Sequence, residues 1–273
     1  MSKDRIIKYF EKFEDPDISL EGREVQIGLV LDTETTGTAR DSEITELAIV
    51  PFAFDGDTFE ILKIFPSYES YNDVNVVLDE RVVKLTGITN EMIAGHKIDR
   101  SILQKMFKKA DVVISHHAAF DRNILENNFP ELKRLDTIWM CTVKDPPYDK
   151  HYVTSAKLDY VAMILGFWFE HHRAMNDVQA TLQVMNSKLP GADETIFTQM
   201  FEALEKSGGT LYAVGAPFDT KEMLKANKYR WNGDRKVWYK EVSDYEAESK
   251  WLYDNIGIEG EYQPGNIFER FRD

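Results

Sequence analysis

Apolar positions recur along this chain with two periods, and the changes between them outline its elements. Ile6, Ile7, Phe10 and Phe13 fall at helical spacing and predict a short amphipathic helix over residues 3–13. Residues 26–31 form an apolar run that ends at Asp32 and reads as a buried strand. Residues 44–54 and 58–65 read as two further strands, joined by the turn residues Asp55, Gly56 and Asp57. Helical periodicity returns over 100–109, an apolar strand follows at 111–115, and residues 119–127 are again helical. Asp145-Pro146-Pro147 opens a loop that runs to about residue 156. Helices are predicted over 158–165, where Gly166 stops the run, and over 176–188.

Three adjacent strands, followed by helices alternating with a strand, predict an α/β layer fold with a mixed central sheet. Leu189-Pro190-Gly191 breaks the pattern, a helix is expected over 194–207, and Gly208-Gly209 breaks it again. From Thr210 the pattern restarts as strand, helix, hairpin and helix. The expected organisation is therefore a larger domain over 1–207 and a small α+β accessory domain over 208–273.

Composition narrows the class. At 273 residues and 43% apolar content the chain can bury a substantial core. No apolar run is long enough to span a membrane, and the charged first thirteen residues lack the apolar stretch of a secretory leader. The single Cys141 cannot form an internal disulfide. Together these predict a cytoplasmic protein without a membrane partner. The net charge of −14 opposes general nucleic-acid binding, because such affinity comes from Lys and Arg neutralising phosphates. A site built to hold divalent cations, however, must itself concentrate carboxylates.

Three segments carry such carboxylates. In Asp32-Thr33-Glu34-Thr35-Thr36-Gly37 two acids stand two residues apart at a strand end, so their side chains point the same way. In Ser115-His116-His117-Ala118-Ala119-Phe120-Asp121 an acid falls in the first turn of a helix, a place the helix dipole favours in any protein. In His172-Arg173-Ala174-Met175-Asn176-Asp177 a histidine precedes an acid at a helix start by five residues, as a loop histidine and a capping aspartate would. Each segment has a local structural reading when taken alone.

Taken in order, they resemble the three motifs of the DEDDh, DnaQ-like 3′→5′ exonucleases. Thr86-Gly87-Ile88-Thr89, Trp139-Met140-Cys141-Thr142 and Lys157-Leu158 also match characteristic positions of that superfamily, and the resemblance covers about residues 28–185. It implies an RNase H-like fold and a hydrolase with two Mg²⁺ ions, Mn²⁺ substituting. Asp32, Glu34, Asp121 and Asp177 would be the ligands. His172 would take the proton from the attacking water, a role its ordinary pKa near 6.5 suits. Two cations about 3.5–4 Å apart would clamp the attacking and leaving oxygens of the phosphodiester. Thr33, Thr35, Thr36, Gly37, His117 and Phe120 would contact substrate. The implied partner is single-stranded nucleic acid or a 3′ end, DNA rather than RNA, with a polymerase or other repair protein as a further partner. The chain departs from the family pattern at His117, where asparagine is usual, and at Thr38, where an apolar residue is common. An exoribonuclease and a silent nucleic-acid-binding scaffold are the alternatives. No zinc spacing, phosphate-binding glycine loop or nucleophilic serine elbow is present.

The accessory segment adds a local reversal of charge. Residues 221–240 hold seven basic residues against two acidic ones, a net of +5. Tyr229, Trp231, Trp238 and Tyr239 are interleaved with them, on a hairpin expected to turn at Asn232-Gly233. Arg230, Trp231, Lys236 and Trp238 are the candidate nucleic-acid contacts, since bases stack on rings and phosphates meet cations. The same rings would equally serve a small hydrophobic core.

Overall fold

A computed structural model describes residues 7–205, 208–242 and 244–272. The chain divides into two compact units, 1–201 together with 270–273, and 202–269.

The first unit begins with β1 (Lys8–Tyr9), β2 (Val25–Thr35), β3 (Ile44–Asp55), β4 (Ile61–Ile64) and β5 (Tyr68–Tyr71). Three helices follow, α1 (Glu80–Thr86), α2 (Asn90–Ile93) and α3 (Arg100–Phe107), then β6 (Val112–Ser115), α4 (Ala118–Asn128) and β7 (Ile138–Cys141). The unit continues through α5 (Leu158–Leu165), β8 (Phe167–Trp168) and α6 (Ala174–Met185) into α7 (Ile196–Glu205).

Its sheet has the order β4-β3-β2-β6-β7, with β5 also paired to β3. The β2–β3 pair is antiparallel, while β2–β6 and β6–β7 are parallel. This is the mixed α/β sheet that the sequence pattern predicts. The apolar run of β2 is buried at its centre because strands flank it on both sides and helices pack against the sheet. Gly28 is required there: a Cβ would lie 2.2 Å from the Phe52 ring on the neighbouring strand. The edge beside β3 is split into β4 and β5 for a local reason. Strand β5 pairs with residues 46–49 and β4 with 52–54, leaving Val50 and Pro51 between the two ladders, and Pro51 has no N–H to offer either.

The N-terminal segment differs from the predicted helix. Among the described residues of that stretch the chain is extended, and β1 pairs in parallel with β8; residues 1–6 lie outside the described residues. Tertiary partners override the helical spacing. Phe10 packs on Phe167 with ring centroids 5.1 Å apart, and Phe13 is buried with its N–H donating to Gln179 Oε1 at 3.0 Å.

The expected boundary near Gly208 also differs from the observed division. Phe201 still packs on Phe54 and stacks on Phe59, so the first unit keeps α7 up to that residue. The chain then returns to the first unit at Arg270. The Arg270 guanidinium pairs with the buried Asp145 at 2.5 Å, Arg122 donates to the Arg270 carbonyl, and Arg272 pairs with the buried Glu126 at 2.8 Å.

The second unit contains β9 (Gly209–Ala213), α8 (Lys221–Ala226), β10 (Arg230–Asn232), β11 (Val237–Val242), α9 (Tyr245–Ile256) and β12 (Glu261–Pro264). Its antiparallel sheet has the order β10-β11-β9-β12 and closes on a core of Leu211, Ala213, Leu224, Tyr229, Val242 and Leu252. The hairpin is present, but its loop holds four residues rather than a two-residue Asn-Gly turn. Asn232 pairs with Val237, its side chain accepts from the N–H groups of Asp234 and Arg235, and Lys236 takes a φ of 52°. The side-chain turn at Asn232 supplies the reversal that a tight turn would otherwise make. Among the described residues of the chain no helix is long and apolar enough to cross a membrane.

Candidate active site

Strand β2 emerges from the buried sheet at Asp32, and alternation sends Asp32 and Glu34 to one face and Thr33 to the other. Helix α6 packs across β2 and contributes Asp177 from its first turn. The result is a group of three carboxylates, Asp32, Glu34 and Asp177, whose ligand oxygens all lie within 4.8 Å of one another. Asp121 stands apart from that group. It is buried, and its two oxygens accept from Thr33 Oγ1 at 2.8 Å and Ser115 Oγ at 2.7 Å. Its charge still reaches Asp32.

The electrostatics are those of a crowded anionic site. Burial, and then the charges of Asp121, Asp177, Glu34 and Glu46, hold the Asp32 carboxyl well above the usual carboxylate range. Burial pushes Glu34 up to about 8, reinforced by Asp177, Glu46 and Asp121 and opposed by Arg173. Asp177 is pushed up to about 7 by burial, against backbone hydrogen bonds that favour its charged form. Burial also raises Asp121, against the hydroxyls of Ser115 and Thr33. Clustered carboxylates with so few cations nearby fit hard divalent ions, which take oxygen ligands and remove the repulsion.

His172 sits beside Asp177 in the wall of a cleft of about 610 Å³, which also includes His116, His117, Lys157 and His171. Its backbone takes a φ of 66°, uncommon for a side chain with a Cβ. That conformation turns its N–H onto Asp177 Oδ2 at 2.8 Å and so fixes one carboxylate oxygen. Burial and then the neighbouring His171 lower the His172 pKa, with Asp159 pulling the other way. The imidazole is therefore neutral near pH 7 and able to accept a proton. His116 is pushed down to about 4 by burial and is hydrogen bonded through Nδ1 to Thr142 Oγ1, so it is a neutral structural group.

The remaining expected substrate contacts divide into two kinds. His117 lines the cleft. Thr33, Thr35 and Thr36 use their hydroxyls inside the protein, on Asp121, the Gly37 carbonyl and the Glu43 N–H. Phe120 packs against the core beneath α4. In the second unit, Trp238 packs against the domain core, and the exposed Trp231 leans on it with ring centroids 5.5 Å apart. Arg230 and Lys236 are exposed.

One group was missed by sequence reasoning. Glu46 is fully buried on β3, directly opposite Glu34 in the ladder. It accepts from Arg173 Nη2 at 2.8 Å and from the Ala174 N–H at 3.0 Å, and Arg173 also donates to Tyr71 Oη at 2.7 Å. Glu46 thus anchors the start of α6, the helix that carries Asp177, while Arg173 offsets two facing acids. The available signal was an acid at the head of the apolar run of β3, together with the arginine next to His172.

Comparison with known proteins identifies the family. The RNase_T exonuclease family model matches residues 29–185, more than half of the chain, and the chain belongs to this exonuclease family. A PolC-type DNA polymerase III of Clostridium perfringens is 32% identical over 162 residues, covering 58% of this chain and 11% of that protein. A second, from Caldanaerobacter subterraneus, is 28% identical over 198 residues, covering 70% of this chain and 12% of that protein. The chain thus spans about a ninth of the length of these relatives. Exonuclease I of E. coli in complex with a dT13 oligonucleotide shares the fold, with a TM-score of 0.50 at 16% identity over 68% of this chain and 48% of that one.

Proposed function

We propose that this chain removes nucleotides stepwise from the 3′ end of DNA, releasing nucleoside monophosphates, with Mg²⁺ as its metal and Mn²⁺ as a working substitute. The observation that carries the reading is the trio Asp32, Glu34 and Asp177, with ligand oxygens within 4.8 Å of one another at the end of a buried strand. Asp32, Glu34 and Asp177 would hold divalent cations, with Asp121 as the fourth acid of the set. Bound there, such ions would neutralise the charge that gathers on the phosphate during in-line displacement.

The chain's own residues do the rest. His172 accepts a proton from the attacking water, which its neutral form permits. The His172 N–H holds Asp177 in orientation, and Glu46 with Arg173 fixes the helix that bears it. His117 and Lys157 line the cleft where a terminal nucleotide would lie. The DNA preference is motivated by relatives named as DNA polymerases, which also motivates a proofreading or repair role beside a polymerase. Equal concentrations of 5′-labelled DNA and RNA of one sequence, digested with Mg²⁺ in the same tube, test the preference. Faster loss of the DNA is expected; faster loss of the RNA would make the chain an exoribonuclease.

A further inference from the structure

The small four-stranded sheet of the second unit has two unlike faces. Leu211 and Ala213 on β9 and Val242 on β11 point to one face, where Leu224 of α8 and Leu252 of α9 close over them. Alternation sends Tyr212 and Tyr239 to the other face, where they are direct cross-strand partners with ring centroids 6.3 Å apart. Arg230 is opposite Tyr239 in the ladder, and its guanidinium lies 5.2 Å from that ring. Arg235, from the hairpin loop, lies 4.6 Å from the Tyr212 ring. Neither tyrosine belongs to the domain core.

We propose that this outer face is a binding platform for single-stranded nucleic acid, with Tyr212 and Tyr239 stacking on bases and Arg230 and Arg235 meeting phosphates. The proposal rests on the exonuclease reading above, because it supplies a second grip on the same substrate. Sequence-tolerant strand binding needs rings with cations beside them, and this face supplies two partly exposed rings, each with an exposed arginine whose guanidinium lies over it. The ring spacing is roughly twice the about 3.4 Å per nucleotide of a duplex strand, as suits bases splayed on an extended strand.

The basic residues of the two faces are also used differently. On the inner face Lys240 is half-buried, pairs with Glu248 at 2.5 Å and lies over Tyr229, so it is consumed by the fold. On the outer face Arg230 reaches Glu241 at 3.3 Å with both side chains largely exposed, a pair that a phosphate can displace. Arg235 contacts the Gln263 amide at 3.5 Å. The acids Glu241 and Glu261 balance Arg230 and Arg235, so ring stacking rather than net charge should dominate.

The test uses the full chain in EDTA, where hydrolysis is silent, and fluorescence anisotropy of a labelled 20-nucleotide oligothymidylate titrated at several salt concentrations. Replacing both rings, Tyr212→Ala with Tyr239→Ala, should weaken binding by at least ~10-fold. The Tyr212→Phe and Tyr239→Phe pair should retain it, because stacking needs the ring and not the hydroxyl. Arg230→Gln with Arg235→Gln should lower the log–log salt slope by about 1.4, roughly 0.7 per lost phosphate contact. The arginines are exposed, so that pair decides the matter if the alanine pair fails to fold. Wild-type affinity and slope in the arginine pair would overturn the proposal, as would equal losses in the phenylalanine and alanine pairs. A wild-type chain that ignores the oligonucleotide would also overturn it and would mark the face as a docking site for protein. Digestion of the same oligonucleotide by the wild type in Mg²⁺ tests the exonuclease reading separately: cutting without platform binding defeats only this inference.

Discussion

Removing the Arg173 guanidinium should destabilise the first unit by a predictable amount. Arg173→Met keeps the aliphatic stem but leaves Glu46 fully buried opposite Glu34, with the Ala174 N–H as its remaining donor among the described residues. Breaking a buried pair by deleting one partner costs about 3–5 kcal/mol. The Arg173 side chain is 39% exposed and that of Glu46 1%, so water shelters part of the loss and about 2–3 kcal/mol is the discounted expectation. For a unit of this size that corresponds to a melting temperature lowered by roughly 4–12 °C. The loss should be larger at pH 8.5 than at pH 5.5, because Glu34 and Asp177 then shed their protons and repulsion around Glu46 grows. Adding Glu46→Gln to Arg173→Met removes the stranded charge while keeping an acceptor for the Ala174 N–H, and should recover about 1 kcal/mol or more. Thermal denaturation of the metal-free single and double variants reads all of this. An Arg173→Met protein that melts with the wild type, or a double variant no better than the single one, would refute the reasoning.

Further outcomes follow from the same structure. Deleting residues 270–273 strands the buried Asp145 and takes Arg272 from Glu126, so calorimetry should show the first unit melting lower by roughly 6 °C or more; an unchanged melt would mean the returning segment is dispensable. His172→Ala should lower kcat by about 10²–10⁴ while leaving metal affinity by titration calorimetry intact, and lost metal affinity with a preserved rate would contradict its role as a base. Glu34 and Asp177 hold protons in the fold up to about 8 and about 7, whereas the unfolded chain releases them near 4. The stability that these two groups contribute to the metal-free protein should therefore be full below about pH 4 and be lost as pH rises to about 8, and Mg²⁺ should raise the melting temperature more at pH 8.5 than at pH 5.5; a metal-free melting temperature that does not fall between pH 5.5 and pH 8.5 would show that the cluster is not strained.

The long elements were legible because their signals are local. The apolar run into Asp32, the glycine stop at Gly166 and the breaks near Pro190 and Gly208 are all visible as residue types. Short elements held by partners were not. The extended segment at Phe10 and Phe13 exists because Phe167 and Gln179 receive it, and periodicity cannot report that. Helices α1 and α2 were missed although Asp79 and Thr89 cap them and Gly87 closes the first with a φ of 71°. In the site, the acids and His172 stood out because motif order makes them conspicuous. Glu46 did not, because its importance lies in a ladder position opposite Glu34 and a bond to a helix start 128 residues away. In the accessory unit, counting rings suggested Trp231 and Trp238, whereas strand alternation puts Tyr212 and Tyr239 beside the arginines.

The central claim is that the carboxylates around Asp32 drive metal-dependent cutting from a 3′ end, and a time course on a 5′-labelled single-stranded oligonucleotide tests it most directly. With Mg²⁺ the label should pass through a ladder of ever shorter products while nucleoside monophosphates accumulate. EDTA should arrest the ladder, and Asp32→Asn or Asp177→Asn, each checked by thermal melting to be folded, should show no turnover. A ladder that persists in EDTA, or wild-type turnover in either variant, would contradict the account.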